Sequence, residues 1–231
     1  MSPPILLIPG LNCSARLYSQ QIPELWKRGA VMVADHKRGE SVAEIAGHIL
    51  EAAPRYFALV GFSLGGYLAL EIMRRAAERV DRLALVDTSA RPDTAEQSKI
   101  RRERMKMARE GRFADTVARQ FPLSTHPSRH EDDALRGAYT GMTEDCGPEV
   151  FIRHLNAAIS RPDSRPDLAR IRRPTFVVVG DSDIITSPEL AKEMADGIPG
   201  AQLRIIAQAG HLTPLERPEA LTRNLLEFLD A

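Results

Sequence analysis

The sequence predicts an α/β protein with a doubly wound, mainly parallel sheet of about six strands and one helical insertion. Short apolar runs recur along the chain, and most are continuous rather than alternating, which is typical of strands covered on both faces. Helix signals separate them, and strand–helix–strand alternation implies right-handed crossovers between parallel strands. Residues 91–173 interrupt this alternation because they contain no strand-like run.

The apolar runs and the capping signals between them predict the elements in chain order. Ser41 and Glu44 form a capping-box pattern at the start of one helix. Residues 188–197 begin with Pro and end with Gly, and Pro218 begins the last helix. The predicted strands are ILLI at 5–8, VMVA at 31–34, YFALV at 56–60, LALV at 83–86, TFVVV at 175–179 and LRII at 203–206.

Residues 91–173 are predicted to form a helical insertion after the fourth strand, between core segments 1–90 and 174–231. The insertion is too long for a simple crossover and too rich in helix signals for disorder. Its basic stretch KIRRERMKMAR at 99–109 predicts a helix whose Lys and Arg stems cover apolar surface while the charged heads stay in water. We expect its large apolar side chains to form core or pocket wall: Phe113, Phe121, Met142 and Phe151.

Composition excludes several classes of function. The 231 residues are 43% hydrophobic and 27% charged, which is ordinary for a globular protein. Lys plus Arg equals Asp plus Glu at 31 each, so no net field favours nucleic acid or an anionic membrane. No stretch approaches the roughly 18–20 apolar residues that span a bilayer, and no signal-peptide pattern is present. Cys13 and Cys146 lack disulfide or metal-site spacing, so we expect a cytoplasmic protein without metal or cofactor.

A serine between glycines follows the third predicted strand. In open parallel sheets, ligands bind beyond the carboxyl ends of the strands, so residues at these positions carry the chemistry. GFSLGG at 61–66, followed by a helical segment, has the strand–turn–helix context of a nucleophile elbow around Ser63. Side chains at Gly61 and Gly65 would collide in so tight a turn, and Gly66 would let the helix lie close to the strand. The alternative is a glycine-rich turn that merely contains a serine; phosphate- and dinucleotide-loop patterns are absent.

A base and an acid follow later strands. His211, in QAGHLTP after the sixth run, is the candidate base, since a serine needs one to be nucleophilic at neutral pH. Asp183, in GDSDII after the fifth run, is the candidate acid, with Asp181 as the near alternative and Asp87 as the third. The order Ser63, Asp183, His211 matches one hydrolase fold. The other histidines are poorer candidates: His36, His48, His126, His130 and His154.

Two backbone N–H groups are needed to bind the oxyanion of an acyl-transfer intermediate. Leu64, directly after Ser63, should supply one of them. The loop IPGLN at 8–12 should supply the other, because Gly10 lets its backbone turn inward. Leu11 is the predicted donor and Asn12 the fallback.

The chain resembles the α/β-hydrolase superfamily, specifically its small, cap-bearing carboxylesterase-like branch. The segments that carry the resemblance are LLIPGL, GFSLGGYLAL, RPTFVVVGDSDIITSP and AGHLTPLERPEALTRNLLEFL. The resemblance implies a triad of Ser63, Asp183 and His211, an oxyanion hole at Leu11 and Leu64, and a helical cap at 91–173. The family usually has an antiparallel hairpin before the first of these segments, so six strands are expected rather than eight.

Two further features qualify the resemblance. Pro9-Gly10 stands where many relatives have His-Gly, so the resemblance fixes the backbone donor of that loop but not the rest of its hydrogen bonding. With no preceding hairpin, the run near 31–34 becomes a sheet edge, and exposed edges invite pairing. We therefore expect self-association there, with monomer or homodimer left open.

The resemblance implies a serine hydrolase that cleaves small-molecule carboxylic esters through an acyl-enzyme. A serine at the elbow argues against dehalogenase and epoxide-hydrolase activity, for which relatives use aspartate. One alternative is a C–C bond hydrolase or enol-lactonase, whose carboxylate-binding cap group could be Arg129, Arg136 or Arg153. The other is a weakly catalytic ligand sensor on the same fold, since fold does not fix function.

Overall fold

Six parallel strands form a single sheet in the computed structural model of the protein, which describes residues 2–231. The strands are β1 (Ile5–Ile8), β2 (Val31–Val33), β3 (Phe57–Phe62), β4 (Val80–Val86), β5 (Thr175–Gly180) and β6 (Gln202–Ile206). Their order is β2-β1-β3-β4-β5-β6, and each neighbouring pair is parallel. The predicted fold class is therefore confirmed.

Helices connect the strands and cover both faces of the sheet. They are α1 (Ile22–Trp26), α2 (Val42–Ala52), α3 (Leu64–Ala76), α4 (Ala95–Arg109), α5 (Phe113–Ser124), α6 (Asp133–Ser160), α7 (Arg165–Leu168), α8 (Pro188–Gly197), α9 (Thr213–Glu216) and α10 (Pro218–Asp230). Within residues 2–231, no helix is both long enough and apolar enough to cross a membrane.

The cap of α2 forms only half of its predicted box. Ser41 Oγ accepts a hydrogen bond from Glu44 N at 3.2 Å, as the pattern requires. The Glu44 carboxylate, however, accepts from Glu40 N at 2.9 Å instead of from the Ser41 amide. The helix still begins where the sequence predicts, because the serine hydroxyl alone satisfies one of the free N–H groups of the first turn.

The apolar core lies in two layers, one on each face of the sheet. Leu6 and Ile8 of β1 belong to the layer with α2, α3 and α8, whereas Ile5 and Leu7 belong to the layer with α10. This division follows from the strand repeat, since successive side chains point to opposite faces. Each buried leucine or isoleucine contributes roughly 1.5–3 kcal/mol, so the two layers hold the carboxyl ends of the strands in fixed positions.

Residues 91–173, hereafter the insertion, contain α4 to α7 and no strand. Within it, α6 consists of two helical stretches that meet at a break at Gly147 (φ 76°, ψ 174°), directly before Pro148. Ala157 and Ala158 of this helix pack into the same core layer as α2 and α3. The insertion thus rests on the sheet domain, while its limits at 91 and 173 stay predictions.

The two edges of the sheet are β2 and β6. The predicted edge near 31–34 coincides with β2 (Val31–Val33). Self-association through this edge stays a prediction.

Candidate active site

Ser63 lies at the sharp turn between β3 and α3, in a conformation that side chains rarely adopt. Its φ of 52° and ψ of −115° cost of order 1–3 kcal/mol and persist only where the surroundings fix them. Here Ser63 N donates to Val86 O at 3.0 Å, and Thr88 Oγ1 donates to Ser63 O at 2.8 Å. The end of β4 and the loop after it therefore hold the strained serine in place.

The flanking glycines leave no room for side chains. A Cβ on Gly61 would lie 2.4 Å from Gly65 O, and a Cβ on Gly65 would lie 2.2 Å from Ile8 O. On Gly66, a Cβ would lie 2.3 Å from Thr88 Oγ1. Gly66 thus makes room for the threonine that holds Ser63, whereas the sequence suggested an approach of the helix to its own strand.

The structure brings the three predicted side chains into one hydrogen-bonded chain. His211 Nε2 lies 2.9 Å from Ser63 Oγ, and His211 Nδ1 lies 2.8 Å from Asp183 Oδ2. The side chains of His211 and Asp183 are 7% and 0% exposed, so solvent hardly competes for these bonds. With the proton on Nδ1, the imidazole has its free electron pair at Nε2, facing the serine hydroxyl.

Asp183 is held as a carboxylate by its local turn. Its Oδ1 accepts from the amides of Ile185 and Thr186 at 2.8 and 2.9 Å, and its Oδ2 accepts from Thr186 Oγ1 at 2.7 Å. Burial by itself would raise the pKa of Asp183, but His211 and these hydrogen bonds outweigh it and hold the pKa below its ordinary value. The group can therefore stabilise a protonated His211.

The two alternative acids, Asp181 and Asp87, accept hydrogen bonds from groups other than His211. Asp181 is exposed and accepts from the amides of Gln208 and Ala209 at 2.9 and 3.2 Å, which ties the loop that leads to His211. Asp87 is fully buried, accepts from Gly180 N at 3.0 Å and from the Thr213 hydroxyl, and burial raises its pKa well above the ordinary value.

Glu216, which the sequence analysis did not single out, fixes the histidine loop. It is 2% exposed. Its Oε1 accepts from the amides of Gly210 and Leu212, the two neighbours of His211, at 2.9 and 3.2 Å. Its Oε2 accepts from His126 N of the insertion at 2.6 Å. A carboxylate five residues after His211, in the segment HLTPLE, is the one sequence signal that could have indicated this role.

Both residues predicted to supply the oxyanion donors lie at the cavity beside Ser63. Leu11 and Leu64 line that cavity, and within residues 2–231 neither amide has a hydrogen-bond acceptor. The fallback donor Asn12 is occupied, because its N–H donates to His154 Nδ1 at 3.0 Å. Leu11 and Leu64 therefore have the free amides that an oxyanion requires.

Two buried histidines hold the Gly10–Asn12 loop from behind. His36 Nε2 lies 3.0 Å from Gly10 O, and His154 Nε2 lies 3.0 Å from His36 O. Their rings stack with centroids 4.5 Å apart. Burial lowers the pKa of both, that of His154 to about 3, so His154 Nδ1 stays free to accept from Asn12. From the sequence, both residues are poorer candidates for the catalytic base than His211. Their role in the loop depends on contacts between segments that are distant in sequence.

A cavity of about 290 Å³ opens above Ser63 and His211, between the sheet domain and the insertion. Of the apolar side chains expected to form core or pocket wall, Phe151 lines the cavity, and Phe121 and Met142 lie in the core. Cys13 also lines the cavity, and burial raises the pKa of its thiol far above the ordinary value, so the thiol stays protonated. The insertion contributes Gln97, Ile100, Arg101, Arg104, Thr116, Val117, Gln120, Leu123, Ser124, Tyr139 and Phe151.

The arginines proposed for the alternative functions do not line this cavity. Arg129 pairs with Asp132, Arg136 lies over the Phe121 ring at 4.9 Å, and Arg153 donates to a backbone oxygen. The cavity arginines are instead Arg101 and Arg104 of α4. The prediction that the basic heads of α4 all stay in water is wrong for these two.

Comparison with known proteins identifies the class to which this fold and site belong. The sequence model of the alpha/beta hydrolase family matches residues 5–223. The chain therefore belongs to the alpha/beta hydrolase family, and it is an enzyme of the hydrolase class.

Individual relatives are similar over 80% or more of their length. RutD of Agrobacterium fabrum, provisionally named a carbamate hydrolase, is 25% identical over 99% of this chain and 93% of its own. The pimeloyl-[acyl-carrier protein] methyl ester esterase of Nitrosospira multiformis is 26% identical over 88% and 80%. A thermophilic esterase from Thermogutta terrifontis, solved with malate bound, superimposes with a TM-score of 0.90 at 27% identity and covers 100% of this chain and 90% of that one.

Proposed function

We propose that the protein is a serine hydrolase of carboxylic esters that works through an acyl-enzyme on Ser63. The observation that carries this proposal is the chain of two hydrogen bonds from Ser63 through His211 to Asp183, beside a cavity that Ser63 and His211 line. The esterases among the relatives support an ester as substrate. No step of the proposed reaction calls on a metal or a cofactor.

The reaction begins when Ser63 Oγ attacks the ester carbonyl and His211 Nε2 takes the hydroxyl proton. The carbonyl oxygen becomes an oxyanion, which the amides of Leu11 and Leu64 bind. When it collapses, the bond to the alcohol oxygen breaks and His211 returns the proton to the leaving alcohol. His211 then takes a proton from water, and the water oxygen attacks the acyl carbon. The bond from the acyl carbon to Ser63 Oγ breaks, His211 returns the proton to Oγ and the acid leaves, while Asp183 stabilises each imidazolium.

The strained backbone turn and the dipole of α3 both favour Ser63 as the nucleophile. The turn exposes its Oγ at the amino end of α3 (Leu64–Ala76), where the helix dipole favours negative charge. The loop that carries Leu11 is fixed on both sides, by His36 at Gly10 O and by His154 at Asn12 N. Donors that are already in place need little reorganisation when the oxyanion forms.

Replacement of the nucleophile tests the proposal. Ser63→Ala should lower kcat for p-nitrophenyl butyrate by at least about 10³-fold, since loss of the triad serine removes covalent catalysis. Ser19→Ala, at an exposed serine, is the matched control and should keep wild-type turnover. A Ser63→Ala enzyme as active as wild type would refute the mechanism.

A fluorophosphonate probe separates an enzyme from a sensor. Wild-type protein should be labelled covalently on Ser63, as read by mass spectrometry of the peptide that contains it, and should show steady multiple turnovers. Labelling with no turnover of any ester would favour a weakly catalytic sensor. A chain-length series of p-nitrophenyl esters then defines the acyl preference.

A further inference from the structure

Arg104 brings an uncompensated positive charge to the cavity wall. It projects from α4 into the cavity that Ser63 and His211 share, and it is half-buried there. Within residues 2–231, its guanidinium has neither an ion-pair partner nor a hydrogen-bond acceptor in range. Burial and the neighbouring Arg101 both lower the pKa of Arg104, although an arginine stays protonated in proteins. The charge is therefore held where it is poorly solvated.

The charges around Arg104 do not neutralise it. Arg101 donates to Asp93 at 2.7 Å, and the same carboxylate binds Arg161. One acidic group, with its side chain 1% exposed, thus already serves two guanidinium groups. The cavity lining contains no Asp or Glu within the described chain. The wall is accordingly electropositive and has hydrogen-bond donors free for an anion.

We propose that the substrate ester carries a free carboxylate and that the Arg104 guanidinium binds it. A guanidinium presents paired N–H donors that match the two oxygens of a carboxylate. A single uncompensated arginine balances one negative charge, as a carboxylate supplies. The inference rests on the proposed function, because it specifies the substrate of the same site.

The rest of the wall is consistent with a small, partly polar substrate. Gln97, Gln120 and Tyr139 line the insertion side of the cavity together with Arg104 and can donate further hydrogen bonds. The volume of about 290 Å³ lies at the lower end of the range for ligand pockets, roughly 300–1,000 Å³. Esters of short dicarboxylic acids, or short-chain esters of a hydroxy-acid, fit these properties.

Matched ester pairs test the inference on either side of the scissile bond. On the acyl side, p-nitrophenyl hemiglutarate is compared with p-nitrophenyl 5-methylhexanoate, in which an isopropyl group replaces the carboxylate. On the alcohol side, 4-acetoxybenzoate is compared with 4-isopropylphenyl acetate. We expect wild-type enzyme to favour the charged member of at least one pair in kcat/KM.

The Arg104→Gln variant should lower that charged-to-neutral ratio at least about tenfold, the effect of losing one charge-assisted hydrogen bond. Arg104→Lys should restore part of the ratio, since it keeps the charge but not the paired donors. Arg102→Gln is the matched control, because Arg102 is exposed on the same helix and lies outside the cavity lining. Its ratio should equal that of wild type.

Binding without turnover gives an independent measurement. Glutarate should raise the Tm of wild-type protein and of Arg102→Gln, and should leave that of Arg104→Gln unchanged. If no ester is cleaved but glutarate binds through Arg104, the anion site stands and the proposed function falls. If esters are cleaved with the same ratio in wild type and Arg104→Gln, or glutarate binds neither protein, the carboxylate site is refuted and the esterase proposal is unaffected.

Discussion

At the scale of the residue, Ser63 combines backbone strain with a fixed set of hydrogen bonds. Its φ of 52° is held by bonds to Val86, at the end of the neighbouring strand β4, and to Thr88, in the loop after that strand. The conformational cost is therefore offset by the packing of β4 against β3. A nucleophile placed in this way does not have to be oriented by the substrate.

Replacement of Asp183 has the most specific expected effect of any change in the site. Asp183→Asn should keep the geometry but favour the wrong tautomer of His211, since an amide N–H replaces a lone pair that accepts from Nδ1. We expect kcat to fall by about 10⁴-fold, as in serine hydrolases that lose this carboxylate. Steady-state kinetics on p-nitrophenyl butyrate measures the effect.

The matched control is Asp181→Asn, two residues away on the same loop. Asp181 is exposed and binds backbone amides rather than His211, so its loss should change kcat by less than about tenfold. The assignment of the acid would be reversed if Asp181→Asn were the more damaging of the two.

At the scale of the element, the loop after β1 is braced by two segments distant in sequence. His36, in the loop after β2, binds Gly10 O, and His154 of α6 binds Asn12 N. The two rings stack on each other. The free amide of Leu11 lies between these two attachment points, so its direction depends on both.

His154→Ala should therefore act on catalysis through the loop. Without its acceptor, the Asn12 amide is unpaired and the Leu11 donor loses its support, and an oxyanion donor contributes roughly 10²–10³-fold in kcat. We expect kcat to fall about 10- to 100-fold with KM little changed. His154→Asn, whose side-chain oxygen can accept from Asn12, should recover part of the loss.

His48→Ala serves as the control for a histidine without this role, because His48 lies partly exposed on α2 and pairs weakly with Glu51. A purely structural effect of His154→Ala would lower Tm without separating kcat from KM. Equal kcat in wild type and His154→Ala would contradict the bracing role.

The strands and the three hydrogen-bonded side chains of the candidate triad could be predicted because the sequence patterns that indicate them are local. Continuous apolar runs predict buried strands, and Ser63, Asp183 and His211 each follow such a run. His36 and His154 were missed because their partners lie elsewhere in the fold. The same holds for one partner of Glu216, the His126 amide, whereas its other partners, the amides of Gly210 and Leu212, lie within six residues of it. The His154–Asn12 contact, for example, spans 142 positions, and no spacing rule applies to it. The capping box at Ser41 failed for a local reason, since the Glu44 carboxylate accepts from the amide of Glu40, one residue before Ser41.

At the scale of the whole molecule, the buried histidines predict how stability depends on pH. Burial lowers the pKa of His154 from 6.5 to about 3 and also lowers that of His36. The unfolded chain binds protons at the ordinary value, so the folded state binds fewer protons below pH 6.5. The contribution to stability is complete above pH 6.5 and is lost as the pH falls toward about 3.

The free energy of unfolding should thus fall between pH 7 and pH 4, with His154 contributing on the order of 3 kcal/mol of the loss, at about 1.4 kcal/mol per unit of pKa shift. Asp87 and Glu216 act in the opposite direction, because burial raises their pKa values. Comparison of wild type with His154→Asn by urea unfolding at each pH isolates the histidine. The same acid slope in both proteins would overturn this assignment.

The contacts of the insertion with both active-site loops limit how the protein can be re-engineered. His154 of α6 supports the Gly10–Asn12 loop, and His126 N binds the Glu216 carboxylate that holds the neighbours of His211. A transplanted insertion that lacked these attachments would alter the catalytic frame along with the substrate pocket. Substrate specificity and turnover therefore cannot be changed independently in this chain. A replacement insertion would have to keep the contacts that His154 and His126 make with the active-site loops.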